Sequence, residues 1–130
     1  MKRLLILLML VSQPVWAGWV EWGRTEGGQT IFYDDPATLR KTANGRRIWM
    51  MVTYDSPNTQ GGVTHRSGRW LYEFDCAGER ARGLQQELFS GPILGGSSVF
   101  EAQGPGNWEV PAPRTFAENH LKAVCRMPLK

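Results

Sequence analysis

Histidine and cysteine are scarce, with only His65, His120, Cys76 and Cys125 in 130 residues. That scarcity removes most ready-made catalytic and metal-binding constellations. No Gly-x-Ser-x-Gly elbow or His-Glu-x-x-His accompanies the histidines. Neither histidine has metal-ligand spacing to a cysteine, and there is no Cys-x-x-Cys-His for covalent haem attachment. Gly95-Gly96-Ser97-Ser98 lacks the lysine of a phosphate-binding loop and leads into a strand, so it reads as a hairpin loop. Asp34 and Asp35 are adjacent and would point to opposite sides of an extended chain, which suits a turn and a cap better than an acid/base pair. The expectation is a protein that is not an enzyme and has no cofactor or metal, with His120 a boundary residue off the centre of the helix's apolar stripe and His65 on the surface.

Strong charge of one sign is also missing. The whole chain carries 15 basic and 12 acidic residues, but Lys2 and Arg3 belong to a segment that reads as a leader. Without them the balance is 13 to 12, a net charge of +1. Nucleic-acid binding therefore has no electrostatic footprint. Long apolar runs are confined to Leu4–Val11, well short of the roughly 20 residues that a bilayer span requires. Met1-Lys2-Arg3, this apolar run, Pro14 and then Val15-Trp16-Ala17 have the layout of a secretory signal cleaved between Ala17 and Gly18. Two segments follow, 1–17 as signal peptide and 18–130 as one exported domain. No membrane span is expected in the mature part, and no cysteine stands at the cut to take a lipid anchor.

An exported domain meets oxidising conditions, and two cysteines allow one intramolecular pairing, Cys76 to Cys125. Free or intermolecular thiols are the alternative. If the bond forms, it closes a loop from residue 76 to residue 125, worth about 4 kcal/mol by the chain-entropy estimate.

What is present is mostly strand-forming. Gly18–Gly23 reads as a first strand, Thr30–Asp34 as a second, with Gly27-Gly28 turning between them. Asp35-Pro36 predicts a capped helical turn over Ala37–Lys41, with Leu39 facing the core. Asn44-Gly45 predicts a type I′ hairpin turn, followed by a long central strand from Arg46 to Tyr54. Asp55–Gly62 has loop composition. In the next strand Trp70, Tyr72, Phe74 and Cys76 share one face by period-two alternation. Arg80–Phe89, weakened at Gly83, and Ser97–Gln103 are the last two strands. Gly104–Arg114 is a connector, with Trp108 its single large anchor. Thr115 and Glu118 form a capping box for a helix running to about Arg126. Its expected apolar stripe is Ala117, Leu121, Val124 and Cys125. The predicted fold class is α+β, an antiparallel sheet of about six strands with one C-terminal helix.

Charge placement carries the functional content. Arg40, Lys41, Arg46 and Arg47 flank the Asn44-Gly45 turn and make a basic tip. Arg66, Arg69, Arg80 and Arg82 fall on neighbouring strands. Such patches hold acidic partners, sulfated glycans or anionic surfaces, although solvated charge is the ordinary alternative. Trp108 is a candidate anchor for a partner, or a lid on the rim of the core.

Several segments occur together in order: the leader, Trp19-Val20-Glu21-Trp22, Tyr33–Arg40, Arg47-Ile48-Trp49, Glu73-Phe74-Asp75-Cys76, Phe89-Ser90-Gly91-Pro92 and Leu121–Cys125. In this arrangement the chain resembles the bacterial surface-adhesin protein E family over essentially the whole mature part. The resemblance implies an antiparallel sheet with a helix tethered by the disulfide, and export in a Gram-negative bacterium. It implies a non-enzymatic binding domain whose partners are host matrix proteins or envelope proteins. The family also includes a dimeric outer-membrane adhesin that binds matrix proteins, plasminogen and haem. A periplasmic accessory module for another envelope protein and a haem-type ligand carrier are the alternative roles.

Overall fold

A computed structural model of the chain describes residues 18–129. The leader and the Ala17 side of the expected cleavage site lie outside the described residues. Six strands, β1 (Val20–Arg24), β2 (Thr30–Lys41), β3 (Arg46–Gln60), β4 (Val63–Asp75), β5 (Arg80–Phe89) and β6 (Ser98–Gln103), precede one helix, α1 (Phe116–Arg126). The strands form one antiparallel sheet in the order β1-β2-β3-β4-β5-β6. Each strand pairs with its neighbour in sequence, the arrangement that short hairpin turns impose. The architecture is as expected: mostly β, with the helix bound to the sheet through a Cys76–Cys125 disulfide.

Three local expectations need correction. Asp35-Pro36 does not open a helical turn. It lies in a bulge inside β2, between the register pairs Asp35↔Trp49 and Arg40↔Arg47. A bulge tolerates proline because the missing amide is not needed by the ladder. Asp35 still organises the kink, accepting the Ala37 amide at 3.2 Å while Thr38 donates to its carbonyl at 2.7 Å. Leu39 reaches the core as expected.

Asn44-Gly45 makes no type I′ turn, and neither residue has positive φ. The hairpin closes through the Thr42 amide donating to the Gly45 carbonyl (2.9 Å) and the Gly45 amide donating to Thr42 Oγ1 (3.0 Å). Glycine is required at 45 for space, since a Cβ there would stand 1.9 Å from the Phe74 carbonyl oxygen.

The predicted loop over Asp55–Gly62 is largely strand. β3 runs on to Gln60, pairs with Val63 and turns through Gly61-Gly62, whose φ values are +57° and +79°. Pro57 is accommodated by the irregularity between Thr53↔Ser67 and Asn58↔His65. Arg66 donates to the Tyr54 and Asp55 carbonyls at 3.2 and 2.8 Å, satisfying acceptors that this break leaves without ladder partners.

The helix covers one face of the sheet. Ile48 and Phe74 from the sheet and Leu121 and Val124 from α1 form a fully buried cluster, with Tyr72, Ala81, Cys76 and Cys125 packed around it. The capping box forms as predicted at its first half, Glu118 N–H to Thr115 Oγ1 (3.3 Å). The Glu118 carboxylate reaches back to the Arg114 amide (3.3 Å) rather than to Thr115 itself. The buried stripe is rotated from the one expected. Ala117 is exposed, while His120 is buried with Leu121 and Val124. His120 Nε2 lies 2.8 and 2.9 Å from the two carboxylate oxygens of Asp34, which is also buried. Its ring stacks on Trp22 (4.4 Å, 5° between planes) and meets Phe74 edge-on. Phe116 continues this seam against Phe32, with centroids 4.9 Å apart. A polar side chain is tolerated under the helix because the chain supplies its partner from β2.

Candidate functional site

Neighbouring residues on a strand point to opposite faces, and this alternation divides the basic tip. Arg46 is the register partner of Phe74 and lies on the helix side. Its guanidinium donates to the carbonyls of Val124 (3.0 Å) and Met127 (2.7 Å). The Val124 carbonyl also accepts the Met127 cap amide (3.1 Å) and the Met127 carbonyl lies just past the end of α1; a cation there suits the helix dipole. Arg46 is therefore engaged as a helix cap.

Arg47 lies on the opposite face. Register places Arg40, Arg47, Glu73 and Arg82 in one row across β2, β3, β4 and β5. The next row is Asp35, Trp49, Leu71, Gln85 and Gln103. Arg40, Arg47, Trp49, Leu71 and Gln85, with Ala37 and Thr38 from the β2 bulge, line a shallow hollow of about 360 Å³.

The charges in this row are unevenly satisfied. Glu73 is buried and takes the Arg82 guanidinium at 2.8 Å. Burial pushes its carboxyl up, but hydrogen bonds from Thr42, Arg82 and Asn44 and the Arg82 charge outweigh burial and hold it below the usual glutamate value. Arg47 is exposed and, among the described residues, has no carboxylate within ion-pair distance. Arg40 is exposed and donates to the carbonyls of Ala37 (3.0 Å) and Leu39 (2.8 Å), which fixes its position without neutralising it. Lys41, beside it, is exposed.

Trp108 closes the row at its β5 end. The connector carrying it pairs with β5 through reciprocal hydrogen bonds between Ala81 and Glu109 (2.8 and 2.9 Å). This pairing holds the half-buried indole against Arg80 and Arg82, whose guanidinium carbons lie 4.6 and 4.3 Å from the ring centre. Trp108 is thus held by two cations and is not a free anchor.

The second basic group does not make a patch. Arg69 pairs with Glu87 (2.7 Å) and Arg80 with Asp75 (2.8 Å), while Arg66 is bound to backbone carbonyls. Asp75 is lowered by the Gly78 amide first and then Arg80, and Glu87 by Ser98 and Arg69, as carboxylates that receive donors should be. Of the five residues singled out from sequence, Arg40, Lys41 and Arg47 keep exposed charge. Arg46 and Trp108 are engaged by the chain itself.

Both histidines differ from expectation. His65 is buried, with Nδ1 3.1 Å from the Val63 carbonyl and its ring edge-on to Tyr54. His120 is the inner contact of the helix. The sequence signal available for His120 was its i+4 spacing from Phe116 and to Val124. Its partner Asp34, 86 positions away, had none.

The whole arrangement is that of a small β-meander domain with a stapled helix on one face and an open, unevenly basic face on the other. The family model for surface-adhesin protein E matches residues 19–126, and the chain belongs to that family. The fold is similar to that of Haemophilus influenzae protein E, solved in a second crystal form. The identity is 14%, the TM-score 0.61, and the match covers 84% of this chain and 87% of that one. A search of curated protein sequences finds no match. Membership points to a non-enzymatic, adhesin-like protein of the cell surface or exported space. No described helix is long and apolar enough to cross a membrane.

Proposed function

We propose that this protein is an exported binding domain that engages host matrix or envelope proteins through the open face of its sheet, around Arg40, Arg47 and Trp49. The observation that carries this reading is the pair of exposed, unneutralised arginines beside the hollow. Among the described residues Arg47 has no carboxylate partner and Arg40 is held by backbone carbonyls with no carboxylate to neutralise it, whereas Arg24, Arg69, Arg80 and Arg82 each pair with an acid. Charge left without a partner on a rigid sheet favours recognition and raises encounter rates. Solid-phase binding of the purified protein to immobilised matrix proteins and plasminogen tests the reading, and absence of saturable binding would sink it. Its location is proposed to be the cell surface, with residues 1–17 as the removed signal. Protease accessibility on intact cells separates this from a periplasmic accessory role.

A second reading, small-ligand carriage of the haem type, rests on one observation on the helix side. Tyr72, Ala81, Val110, Pro111 and Ala117 are among the walls of a hollow of about 470 Å³ between connector, helix and sheet. A haemin titration without a Soret shift would remove it. Homodimerisation would use the outer edge of β6, where Val99 and Phe100 are 41% and 40% exposed and backbone groups are open to pairing. Sedimentation of the Phe100→Lys variant checks that edge.

A further inference from the structure

We propose that the hollow at Arg40 and Arg47 is a subsite for a sulfated polysaccharide chain, an inference that rests on the open-face reading above and names its ligand class. Four observations converge on it.

The first is a like-charge conflict. Arg40 and Arg47 are direct register partners across β2 and β3. Like charges placed directly opposite each other in an antiparallel pair destabilise the sheet. Arg40 is fixed by the carbonyls of Ala37 and Leu39 in its own strand. Nothing acidic lines the hollow, and the one carboxylate in the row, Glu73, is taken by Arg82. The register therefore leaves two exposed cations side by side with no carboxylate between them, an arrangement that a bound anion would stabilise.

The second is spacing. Strands lie about 4.8 Å apart, so Arg40 and Arg47 stand one strand spacing from each other, while Arg82 further along the row is already paired with Glu73. A linear polyanion laid across the strands can meet Arg40 and Arg47 in turn, which one isolated anion cannot.

The third is residue type. The free cations at the hollow are arginines, whose planar fork matches the paired oxygens of a sulfate or carboxylate better than an ammonium does. Gln85 adds amide donors and an acceptor for hydroxyls, and Trp49 adds a ring whose position is set by Arg69, 5.3 Å from its centre.

The fourth is shape. The hollow is shallow, with Leu71 buried at its floor. Hot-spot anchoring of a partner gains most from a deep pocket that desolvates an apolar side chain, and this hollow is a shallow one. A sugar chain bound through charge and edge contacts needs no such pocket.

The test measures binding of a heparin-derived octasaccharide to the purified protein by calorimetry across a salt series. The expected result is binding that weakens steeply with salt, by release of counterions from the polyanion. Arg40→Gln/Arg47→Gln should weaken it at least tenfold and reduce the salt slope. Arg24→Gln/Lys122→Gln removes the same charge from residues outside the hollow and should change affinity less than twofold. The Arg47→Gln protein, which keeps the Arg40 hydrogen bonds, should melt no lower than the parent, because a like-charge neighbour has been removed; a lower midpoint would overturn the like-charge argument. Equal weakening by both double variants, or equally tight binding of a polyglutamate peptide of matched charge, would overturn the glycan assignment. The parent reading is scored separately. If matrix proteins bind saturably and Arg40→Gln/Arg47→Gln leaves that binding intact, the subsite is wrong and the adhesin role stands. If matrix binding is absent altogether, the adhesin role fails whatever the oligosaccharide does.

Discussion

Opening the Cys76–Cys125 bond is the perturbation with the clearest magnitude. The bond joins the end of β4 to the last turn of α1 over a sequence separation of 49, and the closed loop contains β5, β6 and the connector. Cross-linking such a loop removes about 4 kcal/mol of chain entropy from the unfolded state. For a domain with roughly 5–15 kcal/mol of total stability this is a large fraction. At about 2.1 cal/mol/K of unfolding entropy per residue, it corresponds to a fall in melting temperature of about 17 °C. The helix does not depend on the bond alone. Arg46 caps it, His120 is bound to Asp34, and Leu121 and Val124 are buried. The Cys76→Ser/Cys125→Ser protein should therefore keep its native far-UV circular dichroism while unfolding at much lower urea. Amide exchange in α1 should quicken towards the global unfolding rate. A stability loss below about 1 kcal/mol would refute the loop-entropy reasoning. Loss of the helical signal before any denaturant is added would refute the claim that packing and capping hold the helix in place.

Three further outcomes follow from particular contacts. Gly45→Ala should destabilise by at least the roughly 1–3 kcal/mol typical of overpacking, since the new Cβ meets a backbone carbonyl that cannot rotate away; urea unfolding checks this, and a neutral effect would show that the hairpin relaxes. His120→Ala leaves the buried Asp34 carboxylate without a donor and should cost about 3–5 kcal/mol, whereas Asp34→Leu/His120→Leu should recover most of that loss. If the double variant is no better than the single one, the pair is not what the loss reports. Glu73 titrates below its ordinary value in the folded protein, so the unfolded chain binds the proton more readily. Its contribution is present above the unfolded pKa of about 4.3 and is lost as pH falls through the lower folded value. Glu73→Gln should flatten the acid limb of the stability profile, as read by thermal melts between pH 2 and 6.

Regular structure was legible where period and composition agree. The alternation of Trp70, Tyr72, Phe74 and Cys76 specified a one-sided strand, and Thr115 with Glu118 marked the helix start within one residue. Where the outcome depends on a neighbour, local rules misled. Pro36 and Pro57 both sit inside strands because bulges absorb them. Asn44-Gly45 has the composition of a type I′ turn, yet Gly45 is needed for the approach of Phe74 from another strand. Of the candidate site, Arg40 and Arg47 were recoverable as cations near a turn, but their confrontation across the ladder was not. It depends on the hairpin loop being the four residues from Thr42 to Gly45 rather than Asn44-Gly45 alone, which sets the register Lys41↔Arg46 and Arg40↔Arg47.

By itself the sequence determined the class of fold, the cysteine pair, the apolar stripe within a turn of its true centre, and the family. These follow from short-range periodicity and from composition, which the chain carries in its order of residues. Only the tertiary structure decided which cations are spent and which are free. Arg46 and Arg47 are adjacent and chemically identical. The pleat sends Arg46 to the end of a helix 78 residues further along the chain and Arg47 to an open face beside Arg40. Free charge is a property of what surrounds a side chain after folding, and that is settled by contacts between residues distant in sequence.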